Sequence, residues 1–316
     1  MLMKASTPEE RKRFYSEEWN KREVPDFILH TLSLREFGFD LDGTGPSHRY
    51  IQFRTLEQLE EFMRYRAPFS AYSSVALYER PSMREGWLKA ELVLDIDAKD
   101  LPVKSCGCEK GSVCDVCLDE ARKVAAEFAD TLKSDLGLRV INFVYSGRGF
   151  HIRINEEAVM GLEQNERGQI VNYVTGGKIP SDITMALGYS KVFRERAART
   201  LEKLNEGAIS GAIKSKAVAQ KLFAEKSKVV EAMKSGGIGQ ISMKGVGPGT
   251  ISRLLELLAR LNSEFTDGKV TIDTKRILRL PSSLHSGVSM KCMVVKDINK
   301  FNPEDAVPKF MKEGGA

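Results

Sequence analysis

The sequence predicts a mixed α/β (α+β) protein, a mixed sheet core flanked by helices, and three stretches carry that prediction. Lys89-Ala-Glu-Leu-Val-Leu-Asp-Ile-Asp97 alternates Leu92, Leu94 and Ile96 with Val93, Asp95 and Asp97, the period of a strand. Val140–Ile154 joins an apolar run to the turn Ser146-Gly-Arg-Gly149, after which His151 and Arg153 alternate with Ile152 and Ile154. Residues 156–261 are instead rich in Ala, Lys, Glu and Leu and almost without strand patterns. The division expected is a core over 1–155 and 262–300 with a cysteine loop at 104–118, a helical subdomain at 156–261, and a tail at 301–316. A chain of 316 residues, 42% hydrophobic and 29% charged, can bury a substantial core as one or two domains.

Taken in order, Thr7-Pro8-Glu-Glu10 reads as an N-cap, a proline at N1 and a capping-box glutamate. The helix that follows should run to about Glu23, with Phe14, Tyr15 and Trp19 as its buried stripe. Leu34–Phe39 and His48–Arg54 read as strands around the Asp42-Gly43 turn. Thr55, with Gln58 three residues later, caps a helix to Arg66 that points Leu56, Leu59, Phe62 and Met63 inward. Strands are expected at Ser74–Tyr78 and Trp87–Ile96, and an amphipathic helix at Leu118–Leu136 stopped by Gly137. In the helical region, Lys214, Lys216, Lys221, Lys226, Lys228 and Lys234 are read first as a solvated face, with electrostatic tracking of a template as the other reading. Lys244-Gly-Val-Gly-Pro-Gly-Thr250, ahead of the helix Ile251–Leu261, resembles a helix-hairpin-helix loop that grips DNA backbone through free amides. It lacks the Gly-Lys-Ser/Thr ending of a nucleotide P-loop. Lys269–Thr274 alternates as a strand with Thr271 and Asp273 on one face, and the tail with its Gly-Gly end is expected to be loosely ordered.

Chemistry concentrates in three of these stretches. Asp95 and Asp97 share a strand face about 6.6 Å apart, and acids leaning inward from that spacing can hold two divalent ions about 3.5–4 Å apart. Two surface aspartates closing an edge strand are the plainer alternative. Ser146, Arg148 and His151 put a hydroxyl, a planar guanidinium and an imidazole at one glycine turn, a plausible cradle for a triphosphate. Cys106, Cys108, Cys114 and Cys117 cluster as C-x-C-x5-C-x2-C, with Cys292 apart. In a chain this long, clustered thiols suggest structural zinc over a disulfide framework. The net charge of +5 suits a polyanionic partner. No apolar run approaches the ~20 residues of a membrane span, and the charged start is not a signal peptide, so cytoplasmic residence and no membrane partner are expected.

Leu94-Asp-Ile-Asp97, the cysteine cluster, Tyr145-Ser-Gly-Arg-Gly-x-His151 and Leu278-Arg-Leu-Pro-x-Ser-Leu-His285, in that order, resemble the small catalytic subunit of archaeal and eukaryotic DNA primases. The likeness runs from about Phe14 to Lys296, and the single arginine of the glycine turn resembles the archaeal form. It implies a nucleotidyltransferase that joins nucleoside triphosphates into RNA, and also DNA, primers on single-stranded DNA. Asp95, Asp97 and Asp273 would hold Mg²⁺ or Mn²⁺, and Ser146, Arg148, His151, Arg279 and His285 would grip the triphosphate. The resemblance supports structural zinc on the four cysteines and a large primase subunit as partner. It also places substrate contacts near Glu36 and Tyr50, with Gln52 standing where some relatives carry arginine. Two other readings stay open on the residues alone: a two-metal nuclease or phosphodiesterase, and a non-catalytic zinc-bearing nucleic-acid-binding subunit.

Overall fold

The computed structural model describes residues 3–109, 111–241 and 243–313. Two four-stranded sheets organise it, each antiparallel throughout. The first has the order β2 (His48–Ile51), β1 (Phe37–Asp40), β3 (Ser70–Ser74) and β9 (Ile277–Arg279). The second runs β12 (Met293–Val295), β7 (Ile141–Tyr145), β8 (Gly149–Ile154) and β6 (Leu92–Asp97). Two hairpins complete the set: β4 (Ala76–Arg80) with β5 (Glu85–Ala90), and β10 (Leu284–His285) with β11 (Met290–Lys291).

Each sheet has its own core. On the second sheet, Leu92, Leu94 and Ile96 of β6 and Phe150, Ile152 and Ile154 of β8 bury with Leu118, Val124, Phe128 and Leu132 of the helix Asp115–Ser134. The opposite face of β6 begins with Val93, which joins Val75, Tyr78, Val270 and Leu278 in a small cluster reaching the first sheet. Because side chains alternate along a strand, Asp95 and Asp97 share that inter-sheet face. The first sheet buries Phe37 and Phe39 against Phe14, Tyr15 and Trp19 from the N-terminus and Leu59 and Met63 of the helix Leu56–Arg66.

Several expected elements are modified by packing. The capping box forms, with the Glu10 amide donating to Thr7 Oγ1 at 3.2 Å and the Thr7 amide to Glu10 at 2.8 Å. The helix is then Pro8–Arg13, a π turn over Phe14–Glu18 and a 3-10 turn over Lys21–Glu23. The expected strand Trp87–Ile96 divides at Glu91, which is wholly buried where β5 leaves its hairpin and β6 enters the second sheet. Its carboxylate accepts from Arg153 Nε at 2.7 Å and from Arg35, and its amide donates to the Val75 carbonyl at 3.0 Å. This ion group ties the chain entering the first sheet to the second, and removing one partner of a buried pair costs about 3–5 kcal/mol.

Between 156 and 261 the named elements are helical, including Gln164–Thr175, Gly188–Lys203, Lys226–Ser235 and Pro248–Ser263. Phe193, Leu201, Leu254 and Leu258 bury in the same core as the second sheet. Four of the lysines there are engaged locally: Lys221 donates to the Lys244 carbonyl, Lys226 to the Glu202 and Leu204 carbonyls, and Lys228 and Lys234 pair with Glu225 and Glu202.

The tail departs from expectation. Phe301 packs on Tyr145 and Phe150 with ring centroids 4.9 and 5.5 Å away, Phe310 is buried against the first core, and the Lys309 amide donates to Glu18 at 2.8 Å. Two aromatic anchors therefore order the tail as far as the helix Lys309–Glu313. The Gly314-Gly315 end lies outside the described residues.

Candidate active site and cysteine centre

β6 and β8 pair in register, Asp95 opposite His151 and Asp97 opposite Gly149. Gly149 is required there, because a Cβ would fall 2.3 Å from the Ile96 carbonyl oxygen. The pairing puts His151 Nε2 3.4 Å from Asp95 Oδ1 and Arg148 Nε 3.3 Å from Asp97 Oδ2. Both acids keep about a quarter of their side-chain surface open to a cleft, whose walls include Lys99, Phe265, Thr266 and Asp267.

Segment 266–272 closes the free edge of β6. The Asp267 amide donates to the Asp95 carbonyl at 3.1 Å, and the Thr266 hydroxyl both donates to that carbonyl at 2.8 Å and accepts from the Asp95 amide at 3.1 Å. The Thr271 hydroxyl donates to the Val93 carbonyl at 2.5 Å. Edge groups of β6 are thus satisfied by side chains and one amide, without a further strand. The segment is a short helix, Gly268–Ile272, N-capped by Asp267, whose carboxylate accepts from the Lys269 amide at 3.0 Å.

This corrects the sequence reading of Lys269–Thr274 as a strand. The Val270/Ile272 alternation was too short to exclude a helical turn, and the demands of the β6 edge decide the outcome. The third expected acid is placed by the same helical turn. Asp273 ends the helix, accepts from the Lys275 amide at 2.9 Å, and lines a different cleft with Arg49, Tyr72, Arg84 and Arg276. Asp267 is the acid that shares the cleft with Asp95 and Asp97. A sequence signal for it existed: Asp267 before Gly268 is a helix N-cap pattern.

Burial and neighbouring charge perturb Asp95 and Asp97. Burial, and next the Asp267 carboxylate, raise Asp95 to about 6. Burial also raises Asp97, against the opposing pull of Arg148. Carboxylates crowded in this way have the chemistry to hold a cation.

Cations and imidazoles gather beside them. His285, on β10, meets the Ser146 carbonyl through Nδ1 at 2.9 Å, which brings it over the glycine turn. Gly147 takes φ +105° there, and a Cβ would lie 2.6 Å from His285 Nδ1. Arg279, on β9, donates to Ser70 Oγ at 2.8 Å and lies over the Tyr72 ring at 5.3 Å. Burial and then the Arg153 and Arg279 charges hold His151 down to about 3. Burial, Arg279 and Arg148 likewise hold His285 well below its ordinary value. Burial thus favours the uncharged form of both imidazoles, His285 using its Nδ1 proton on the Ser146 carbonyl, while Arg148 and Arg279 supply charge. The structure brings Ser146, Arg148, His151, Arg279 and His285 together from both sheets.

Beyond β6, the sulfurs of Cys106, Cys108, Cys114 and Cys117 lie within 4.8 Å of one another. Sulfurs about 2.3 Å from a tetrahedral zinc are spaced about 3.8 Å, so the cluster fits such an ion with little movement. The Cys117 amide, first among the causes, lowers Cys114 to about 7, while hydrogen bonding to Cys114 and Cys106 raises Cys108 to about 12. These hydrogen bonds make Cys114 the more readily deprotonated of the two thiols. No helix among the described residues is long and apolar enough to cross a membrane.

Paired strand-borne acids in contact with a guanidinium and an imidazole are an arrangement suited to phosphoryl transfer. Residues 94–297 match the model of the DNA primase small subunit family. The chain is 44% identical to the DNA primase small subunit PriS of Methanothermobacter thermautotrophicus, over 99% of this chain and 98% of that one. It is 42% identical to that of Methanobrevibacter smithii (99% and 100%) and 40% to that of Pyrococcus horikoshii (99% and 96%). The chain belongs to the DNA primase small subunit family.

Proposed function

We propose that this chain is the catalytic subunit of a DNA primase, joining nucleoside triphosphates into short primers on a single-stranded DNA template. The observation that carries the reading is the shared cleft of Asp95, Asp97 and Asp267, with Arg148 against Asp97 and His151 against Asp95. Asp95, Asp97 and Asp267 would hold Mg²⁺ or Mn²⁺, replacing the set with Asp273 expected from the sequence. When bound, the ions would lower the pKa of the primer 3′-hydroxyl and neutralise charge on the α-phosphoryl group.

The chain's own residues orient the reactants. Arg148 and Arg279 present planar forks to non-bridging oxygens, and His151 and Ser146 add uncharged donors; His285, its Nδ1 proton held by the Ser146 carbonyl, would donate through Nε2 in the protonated form that a bound phosphate favours. Held from two sheets, the triphosphate is fixed in line with the attacking oxygen, and positioning of this kind supplies much of the rate. Lys99 Nζ, 3.7 Å from Asp97 Oδ2, adds positive charge on the open side of the acids.

Zinc on the four cysteines would fix the loop 104–118 and the start of the helix Asp115–Ser134, with no part in the chemistry. Membership of a family named for a small subunit supports a larger primase subunit as partner. Incubating the chain on unprimed single-stranded DNA with labelled ribo- or deoxynucleotides and Mg²⁺ or Mn²⁺ tests the reading. Template-dependent oligomers are expected, and their absence under every metal and nucleotide combination would overturn it.

A further inference from the structure

A second cleft, of about 430 Å³, opens on the first sheet beside the acids and takes no part in the triphosphate grip. Four cations meet there: Arg49, Arg84, Lys275 and Arg276. Its two acids, Glu36 and Asp273, offset only part of that charge. Asp273 is turned onto the Lys275 amide, and Glu36 lies wholly buried beneath.

The cleft is built rather than incidental. Glu36 accepts from Arg49 Nε at 2.6 Å and pairs with Arg84 Nε at 3.3 Å, so one buried carboxylate holds two guanidiniums side by side. Arg84 also donates to the Lys275 carbonyl at 2.8 Å. Across the sheet, Gly38 of β1 registers with Tyr72 of β3, which registers with Arg279 of β9. Arg49 lies over Gly38: a Cβ at that glycine would come within 2.9 Å of Arg49 Cδ and 3.0 Å of Ile277 Cδ1. A register shift between β1 and β2 and the positive φ of Tyr50, +65°, accompany that placement. Positive φ is uncommon for a non-glycine residue, and here it leaves the Tyr50 ring half exposed with the Arg49 guanidinium 5.6 Å from its centroid. Gln52 is occupied elsewhere, donating to the Ser33 carbonyl at 2.7 Å.

Two features link this cleft to the reaction. Arg276 lines it and also ranks among the charges acting on Asp95. Tyr72 lines it and carries Arg279 over its ring. A basic groove with the half-exposed Tyr50 ring beside its Arg49 and Arg84, and with Arg276 acting on Asp95, has the composition of a single-strand track: cations for phosphates and a ring for a base.

We infer that Arg49, Arg84, Lys275 and Arg276 bind successive phosphates of a single nucleic-acid strand, with Tyr50 as the stacking platform, and so lead the strand to the acids. The inference rests on the proposed polymerising function only for the strand's identity as template. Phosphate could also come from a second nucleoside triphosphate, and the test separates the two.

Binding of a fluorescent single-stranded oligonucleotide to the full chain is followed by anisotropy in EDTA, without nucleotides, across a salt series. The paired substitution Lys275→Ala with Arg276→Ala touches neither Glu36 nor the core. It should weaken binding at least tenfold and reduce the slope of log affinity against log salt by about 1.4, about 0.7 per lost contact. Gly38→Ala, which removes no charge but displaces Arg49, should weaken strand binding in the same direction. Calorimetric binding of a nucleoside triphosphate with Mn²⁺ should remain within about twofold for both variants.

Unchanged strand affinity and salt slope in the folded variants would overturn the inference. So would a loss confined to nucleotide binding, which would assign the cleft to a second triphosphate. Because the assay contains no synthesis, a chain that makes no primer but shows the predicted salt slopes would sink the proposed function and leave the strand track standing.

Discussion

The strand Leu92–Asp97 and the segment Thr266–Asp273 both bring acids to this part of the molecule, yet one was legible in the sequence and the other was not. On β6 the pleat fixes which side chains share a face. Two-residue spacing therefore puts Asp95 and Asp97 together wherever the strand is docked. The later segment has no such rule. Its conformation is set by what the edge of β6 accepts, namely the Asp267 amide and the Thr266 and Thr271 hydroxyls. A helical turn delivers those groups and carries Asp273 into the neighbouring cleft. Periodicity is reliable where local geometry decides, and weak where a short segment serves as the edge cover of another element.

The largest expected effect separates the two acids of that segment. Asp267→Ala should reduce primer synthesis on the order of 100- to 1000-fold, matching Asp95→Ala and Asp97→Ala, whereas Asp273→Ala should stay within about threefold. Initial rates on unprimed template measure this, and the reverse ranking would restore the strand reading. Gly149→Ala tests the other side of the comparison, since its Cβ would strike the Ile96 carbonyl between the two catalytic strands. A loss of about 3 kcal/mol in denaturant unfolding is expected, along with loss of synthesis.

A smaller effect follows metal removal from the cysteine loop. Chelation, or Cys114→Ser, should abolish stoichiometric zinc and open 104–118 to proteolysis. The paired strands β6 and β8 should keep their amide protection in hydrogen exchange. The smallest effect concerns charge at Asp95. Its folded-state value of about 6 lies above the ordinary carboxylate value, so the folded chain binds more protons through that window. The group's contribution to stability is complete below about pH 3.9 and is lost as pH rises through 6. In EDTA at pH 7, Asp95→Asn should therefore melt a few degrees above the unsubstituted chain. The gap should close near pH 4, and Mn²⁺ should reverse it.

Other parts of the molecule repeat the lesson. Thr7 with Glu10, and Thr55 ahead of Gln58, are helix starts readable from four residues, and both caps form. Ser146–Gly149 is readable as a turn, because Gly147 needs a positive φ that few other residues accept. The approach of His285 and Arg279 to that turn is a long-range event between sheets, reachable from the sequence only through family likeness. Glu91 gave no local sign that it would divide a strand, since the reason is a buried pairing with Arg35 and Arg153, distant in sequence. The tail was misjudged for a related reason: its composition reads as loose, but Phe301 and Phe310 find partners in both cores.

The proposed chemistry turns on which carboxylates hold divalent ions. Mn²⁺ titration by calorimetry, on the unsubstituted chain and on Asp95→Ala, Asp267→Ala and Asp273→Ala, addresses that point without recourse to synthesis. Binding should be lost or weakened at least tenfold in the first two variants and unchanged in the third. Wild-type Mn²⁺ affinity in Asp267→Ala, with loss in Asp273→Ala, would contradict the site described here.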